Sequence, residues 1–260
     1  MKLIYILLAT LPLFSIAQEK SKDNKETTTV AKAISEPVVT KGAVTIGGKV
    51  INYTATTGYL SLKDEKDKGR ANIFFIAYTM DGADKSKRPV TYTFNGGPGS
   101  ASVWLHMGAL GPKRVMMSDK GDVLAPPYQY VNNEYSWLDK TDLVFIDPVT
   151  TGYSRAADGE DDKQFHGYNE DIKIVGDFIR LYTTKYQRWG SPKYLCGESY
   201  GTTRAAGLSG YLQNRYNMYI NGVALVSSIL NFQTARFDTG NDLPYSLFLP
   251  TYTAAAYYHQ

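Results

Sequence analysis

Cysteine and histidine are scarce in this sequence, whose 260 residues include one cysteine, Cys196, and three histidines. A single cysteine excludes an intrachain disulfide and any zinc site that needs several cysteines. The formal net charge is only +3 and no lysine and arginine cluster occurs, which argues against nucleic acid as a partner. No metal-ligand cluster and no glycine-rich phosphate loop is present, so we expect no cofactor. Hydrophobic residues make up 43% and charged residues 20%, which is typical of a globular protein with a sizeable core.

The first residues have the pattern of a targeting signal. Lys2 gives a positive start, residues 3–14 are almost wholly apolar, and small residues precede Gln18. This pattern predicts a secretory signal peptide over residues 1–17. A membrane anchor is less favoured, because the apolar run is shorter than the ~20 residues that span a bilayer and contains Pro12. We expect an exported protein, periplasmic or extracellular, and the lack of disulfides favours a bacterial periplasm or exterior.

Composition divides the rest of the chain into three parts. Residues 18–42 are charged and rich in threonine, which predicts a flexible leader. Residues 43–230 carry the strand and helix patterns of a folded core, whereas residues 231–260 do not resemble sheet strands. The core starts with strand-like runs separated by turns at 47–48 and 57–58, which predict antiparallel hairpins. These runs are residues 44–46, 49–55, 59–62 and 72–80.

Strand and helix patterns alternate in the second part of the core. The predicted strands are residues 89–94, 142–146, 193–196 and 220–226. Residues 170–185 form an amphipathic pattern that Asn169 can cap. Its apolar face consists of Ile172, Val175, Phe178, Ile179 and Tyr182. Residues 203–217 form a second helix, with small residues that allow close packing. This alternation predicts an α/β fold in which helices cover both faces of a mixed, mostly parallel sheet.

Residues 197–201 read G-E-S-Y-G, the G-x-S-x-G pattern of a nucleophile elbow. The pentapeptide follows a predicted strand and opens a predicted helix, as an elbow requires. The sharp turn needs glycine and exposes the Ser199 hydroxyl above the sheet, where the helix N-terminus stabilises negative charge. A similar run at 152–156 contains Ser154 but ends in alanine. We therefore predict Ser199, and not Ser154, as the nucleophile.

A second glycine motif, N-G-G-P-G at residues 95–99, ends an earlier predicted strand. Hydrolases with a nucleophile elbow have their oxyanion loop at this place. Glycine allows a bare N–H group to point at the developing oxyanion, and we predict the N–H groups of Gly97 and Tyr200 as the two donors. The loss of one such donor typically costs about 3 kcal/mol of transition-state stabilisation. Taken alone, the motif is equally consistent with an ordinary glycine turn.

Together the two motifs resemble the serine carboxypeptidase family, peptidase family S10. The similar segments are YTFNGGPGSASVWLHMGALGP, VFIDPVTTGYSR and SPKYLCGESYGTTRAAGLSGYL. The resemblance covers about residues 45–260. It implies an α/β-hydrolase fold with an inserted cap, which residues 231–260 would begin.

The resemblance also implies an activity, the removal of C-terminal residues from peptides through an acyl-enzyme on Ser199. Asn95, Gly96 and Glu198 match the positions that bind the terminal carboxylate of a peptide with a free C-terminus. Glu198 can hold that carboxylate by sharing a proton with it, and Asn95 can orient the pair. We therefore hypothesise that acidic pH favours the peptidase activity.

The chain departs from the family pattern at two positions. Plant and fungal members have a second carboxylate where this chain has Ala109, which weakens the prediction of exopeptidase selectivity and acid preference. Ser100 stands where a cysteine is common, so a family disulfide is missing.

A catalytic acid and a histidine should follow Ser199, in that order. Only His259 follows it, and the remaining chain is too short for the strands that normally carry both groups. We therefore expect the acid and base beyond Gln260, and interpret the chain as an N-terminal portion truncated at the start of the cap, with His259 a cap residue. Two other functions stay open: an esterase or acyltransferase of the same fold, and a catalytically inert fragment or binding protein.

Four other reactive side chains are interpreted as structural. Cys196 is expected to be a buried small residue. His106 is expected in packing or a cleft wall, His166 in a loop, and Asp147 in a structural role beside Pro148. The oligomeric state does not follow from the sequence.

Overall fold

A computed structural model of the protein describes residues 36–260. The predicted signal peptide, and the predicted leader up to residue 35, lie outside the described residues. The strands are β1 (Val38–Ile46), β2 (Lys49–Lys63), β3 (Gly69–Met80), β4 (Val90–Phe94), β5 (Lys113–Val115), β6 (Tyr130–Asn132), β7 (Asp142–Ile146), β8 (Arg155–Ala156), β9 (Lys193–Glu198) and β10 (Gly222–Val226). The helices are α1 (Val103–Leu105), which continues into a π-helical turn (His106–Leu110), α2 (Tyr168–Lys185), α3 (Tyr200–Tyr216) and α4 (Leu243–His259). Short 3₁₀ turns lie at Trp137–Asp139, Asp162–Phe165 and Phe232–Ala235.

The main sheet has the order β1-β2-β3-β7-β4-β9-β10, and β8 pairs with β3. β1, β2 and β3 form an antiparallel meander, and β3 is antiparallel to β7. From β7 onward the neighbours β7–β4, β4–β9 and β9–β10 are parallel. The predicted α/β fold with a mixed sheet is therefore confirmed, and the part of the sheet from β7 to β10 is parallel. The carboxyl ends of β4 and β9 lie next to each other, so the two glycine motifs meet at one edge of the sheet.

The meander differs from the sequence prediction in two places. β1 begins at Val38 and pairs with β2 from Val38↔Thr57 onward, so residues 38–42 belong to the sheet and not to the leader. Thr57 and Gly58, predicted as a turn, lie inside the continuous strand β2, and Gly58 pairs with Phe75. Glycine marks a close approach here: a Cβ on Gly58 would lie 3.1 Å from Pro37.

One face of the sheet is covered by α2 and α3. The predicted apolar face of α2 is buried, and it packs with Leu208 and Leu212 of α3 on the central strands. The helix begins at Tyr168, with Gly167 rather than Asn169 at its N-cap, and Glu170 and Asp171 stand in the first turn where its dipole favours anions. The second helix begins at Tyr200, earlier than predicted, directly after Ser199.

The opposite face carries a second core around Leu143 and Phe145 of β7, covered by Leu105, Leu110 and the 3₁₀ turn residue Leu138. β4 and β7 are buried along their whole length, as expected of strands with both faces covered. α4 is exposed except at the buried Pro244 and the half-buried Phe248, and its assignment to a cap stays a prediction. Within residues 36–260, no helix has both the length and the apolar character needed to cross a membrane.

Candidate active site

Ser199 forms the junction between β9, which ends at Glu198, and α3, which starts at Tyr200. Its backbone has φ 56° and ψ −126°, a conformation that residues other than glycine rarely adopt. Such a conformation costs about 1–3 kcal/mol and persists only where the surroundings fix it. The side chain is half-buried. The strand, sharp turn and helix predicted for this pentapeptide are all present.

Hydrogen bonds to neighbouring segments hold the strained turn. The Ser199 N–H donates to Val226 O at the end of β10, at 2.9 Å, and its carbonyl accepts the Thr202 N–H at 2.8 Å. The Thr202 hydroxyl also accepts the Ile229 N–H at 2.9 Å, which fixes the segment after β10 against α3. The N-terminal amides of α3 thus lie directly below Ser199, where they favour a developing negative charge.

The glycine loop after β4 packs against this turn without any intervening side chain. A Cβ on Gly96 would clash with Tyr200 N and lie 2.6 Å from Gly201 N, so only glycine fits there. Gly97 has φ +104°, which side chains of L-residues rarely tolerate. The structure therefore brings the loop that carries one predicted oxyanion donor into contact with the helix start that carries the other.

Asn95 connects the loop to the elbow. Its side chain is fully buried, and its Nδ2 donates to Glu198 Oε2 at 3.0 Å across 103 residues of sequence. Its Oδ1 accepts the Leu105 N–H at 3.0 Å, so both ends of the amide are fixed. The three residues predicted to bind a substrate carboxylate, Asn95, Gly96 and Glu198, therefore lie together beside Ser199.

Two charged residues beneath the site were missed by the sequence analysis. Arg204 and Asp171 form a buried ion pair, with Arg204 Nε 2.8 Å from Asp171 Oδ2. Arg204 also donates to the Asn95 carbonyl, and the Tyr200 hydroxyl donates to Asp171. No local signal distinguishes these charges from the solvent-facing charges of an amphipathic helix, since only packing shows that they are buried.

Asp147 has the structural role that the sequence predicts. Its carboxylate accepts the Ser102 N–H at 2.9 Å and so anchors the start of α1 to the end of β7. Burial raises the pKa of the Asp147 carboxyl, and hydrogen bonds from the Ser102 and Tyr153 amides oppose that rise. Ser154 is fully buried and donates to the Asp147 carbonyl at 2.6 Å, so its hydroxyl is not open to a substrate.

The three histidines, all of which the structure describes, do not contact Ser199 by hydrogen bonds, and each has a different environment. His106 is buried, with Nε2 2.7 Å from the Tyr78 hydroxyl, which confirms its packing role. His166 Nε2 lies 3.1 Å from the Thr150 hydroxyl, and His259 is exposed at the end of α4. Within residues 36–260, none of them forms a hydrogen bond with Ser199.

Cys196 is buried in β9, as predicted, and burial raises the pKa of its thiol to about 12.

A cleft of about 340 Å³ opens beside the elbow. The residues that line it include Pro98 and Gly99 of the glycine loop, Tyr200 and Arg204 of α3, and His166.

The sequence model of the family described as serine carboxypeptidase matches residues 47–236. Serine carboxypeptidase-like 45 of Arabidopsis thaliana is 26% identical over 200 residues, which cover 71% of this chain and 38% of that protein. The pheromone-processing carboxypeptidase KEX1 of Saccharomyces cerevisiae is 33% identical over 147 residues, which cover 53% of this chain and 19% of that relative.

Among solved structures, a similar one is the crystal structure of Kex1(delta)p, a prohormone-processing carboxypeptidase from Saccharomyces cerevisiae. It superposes with a TM-score of 0.54 at 26% identity, over 66% of this chain and 38% of that chain. The chain therefore matches 38% or less of the length of each of these relatives. The matched residues include both the glycine loop and the elbow, and the fold is that of the α/β-hydrolases. On these grounds the chain belongs to the serine carboxypeptidase family.

Proposed function

We propose that the protein is a serine carboxypeptidase in which Ser199 attacks the last peptide bond of its substrate. The observation that carries the proposal is the strained Ser199 turn at the N-terminus of α3, packed directly against the loop of Gly96 and Gly97. In the first step Ser199 Oγ bonds to the scissile carbonyl carbon, and the carbonyl oxygen becomes an oxyanion. The N–H groups of Gly97 and Tyr200 stabilise that charge.

The intermediate then collapses to an acyl-enzyme. The carbon–nitrogen bond breaks, and the departing amine takes a proton from the general acid, which is the protonated form of the base that activated Ser199. Water attacks the ester to Ser199 and releases the shortened peptide. The base and the acid that orients it are unassigned within residues 36–260.

The contact between Asn95 and Glu198 supports carboxylate recognition. Asn95 Nδ2 donates to one oxygen of Glu198, which leaves the other oxygen for a proton shared with the terminal carboxylate of the substrate. Gly96 offers its N–H group to the same carboxylate. This arrangement selects peptides with a free C-terminus. We expect Glu198→Gln to flatten the acidic side of the pH–activity profile, and a profile identical to that of the wild type would contradict proton sharing.

Labelling with a fluorophosphonate tests the nucleophile. Trypsin cleavage after Lys193 and Arg204 yields a peptide whose only serine is Ser199, whereas Ser154 falls in the peptide that ends at Arg155. In a protein that carries the base, we expect the label in the first peptide and its loss in Ser199→Ala. Label in the Ser154 peptide would refute the assignment, and failure to label the folded chain would favour the inert fragment or binding protein.

A second function, ester hydrolysis or acyl transfer, is favoured by one observation. Ala109, which is exposed, leaves this site without the second carboxylate of plant and fungal carboxypeptidases. Matched peptides with free and amidated C-termini, assayed beside a simple ester, separate the two activities. We expect release of the last amino acid only from the free peptide. Ester cleavage without any peptide cleavage would favour the esterase.

We also propose export, with residues 1–17 as the cleaved signal peptide. N-terminal sequencing of the protein recovered from outside the cytoplasm tests this directly. A mature chain that starts at Gln18 supports the proposal, and a chain that keeps residues 1–17 contradicts cleavage.

A further inference from the structure

Arg204 is a fully buried arginine in the second turn of α3, directly below the proposed oxyanion site. Its Nε lies 2.8 Å from Asp171 Oδ2, and its Nη1 lies 2.7 Å from the carbonyl oxygen of Asn95. The guanidinium also stacks between two rings, with Cζ 5.3 Å from the centre of Phe94 and 5.1 Å from that of Tyr200. One side chain thus contacts β4, the glycine loop, α2 and the start of α3.

The bond to the Asn95 carbonyl orients a peptide group of the site. Because that peptide bond is planar and trans, fixing the Asn95 C=O also fixes the direction of the Gly96 N–H on its opposite side. Gly96 N–H is a proposed donor to the substrate carboxylate, and the next amide along the loop is the proposed oxyanion donor Gly97. Arg204 therefore sets the direction of the loop at its first residue.

The other contacts connect the loop to the helix. Asp171 Oδ2 accepts from Arg204 Nε and also from the Tyr200 hydroxyl, at 3.1 Å. Tyr200 carries the second proposed oxyanion donor on its backbone. Both donor segments are therefore held by one ion pair, although they come from parts of the chain about a hundred residues apart.

Stability alone does not account for a buried ion pair here. Removing a guanidinium from water is costly, and well-packed apolar residues often stabilise a core equally well. An apolar side chain cannot donate to the Asn95 carbonyl, and lysine cannot reproduce the planar fork that reaches two acceptors at once. We propose that Arg204 is a positioning residue that orders the glycine loop relative to Tyr200. This inference rests on the proposed function.

Arg188 provides a matched control. It is as buried as Arg204, and its guanidinium lies 2.6 Å from the carboxylate of Asp142. Asp142 stands at the amino-terminal end of β7, so this ion pair lies at the opposite edge of the sheet from Ser199. The experiment compares the variants Arg204→Gln, Arg204→Lys and Arg188→Gln with the wild type, each as the full chain. Circular dichroism selects a temperature at which every variant is folded. The readouts are amide hydrogen exchange of residues 95–99 and the rate of Ser199 labelling.

We expect Arg204→Gln to speed exchange in residues 95–99 and to slow labelling, each by at least about tenfold relative to Arg188→Gln. Arg204→Lys should lie between Arg204→Gln and the wild type. With a C-terminal peptide as substrate, KM should rise as kcat falls. Equal exchange and equal labelling in Arg204→Gln and Arg188→Gln would overturn the inference. If the wild type takes no label, the proposed function fails, and exchange in residues 95–99 alone decides whether Arg204 orders the loop.

Discussion

His106 makes the stability of this protein sensitive to acid. The imidazole is buried in the turn that follows the glycine loop and packs on Phe145, with ring centres 4.5 Å apart. Burial lowers the pKa of His106 from 6.5 to about 4, because the charged form would lose its hydration. Its neighbour Tyr78 stays protonated, since burial raises the pKa of the Tyr78 hydroxyl.

The sign of the effect follows from proton binding in the two states. Between pH 6.5 and about 4 the unfolded chain binds a proton on His106 that the folded chain does not, so stability falls as pH falls through this window. The full gap between the two pKa values corresponds to about 3 kcal/mol. Above pH 6.5 the imidazole is neutral in both states, so His106 no longer lowers the free energy of unfolding.

The test compares urea unfolding of the wild type and His106→Gln between pH 7.5 and 4. Glutamine is neutral throughout and keeps a polar atom near the Tyr78 hydroxyl. Asp147, whose raised pKa acts in the opposite direction, titrates alike in both proteins and cancels in the difference. We expect the wild type to lose up to about 3 kcal/mol more than the variant. His166→Gln, at an exposed histidine, should follow the wild type. Parallel curves for the wild type and His106→Gln would refute the argument.

Three further predictions concern the site and its support. Gly96→Ala should slow Ser199 labelling at least about tenfold, because the new Cβ meets the backbone of α3. Gly108→Ala should not slow labelling, because its Cβ meets open space. Equal labelling rates in the two variants would contradict the close packing. Asp142→Asn should lower the free energy of unfolding by about 3–5 kcal/mol, because it leaves the buried Arg188 and the half-buried Arg88 without their carboxylate. A loss below about 1 kcal/mol in urea titration would contradict this. Cys196 should not react with a maleimide until the chain unfolds, and rapid modification of the native protein would show that β9 is accessible.

Much of the fold could be predicted from local patterns. β7 has the predicted bounds, and β4, β9, α2 and α3 differ from their predictions by a few residues at their ends. The errors have local causes. The sequence predicts a turn at Gly58 because an isolated glycine is ambiguous between a turn and a close approach inside a strand. The sequence predicts a leader at Val38 because the first half of β1 is recognisable only through its pairing with β2.

The sequence by itself determined the two backbone features of the site. An elbow needs a residue with positive φ between a strand and a helix, and an oxyanion loop needs bare amides, so both requirements appear as short glycine motifs around Ser199 and Gly97. Only the tertiary structure decided how they meet. The Asn95–Glu198 contact spans 103 residues and the Arg204–Asn95 contact 109, and such pairs depend on which strands become neighbours in the sheet. Burial likewise decided that Arg204 and Asp171 pair beneath the site, because a charge on a helix has the same local sequence signal whether it faces water or the core.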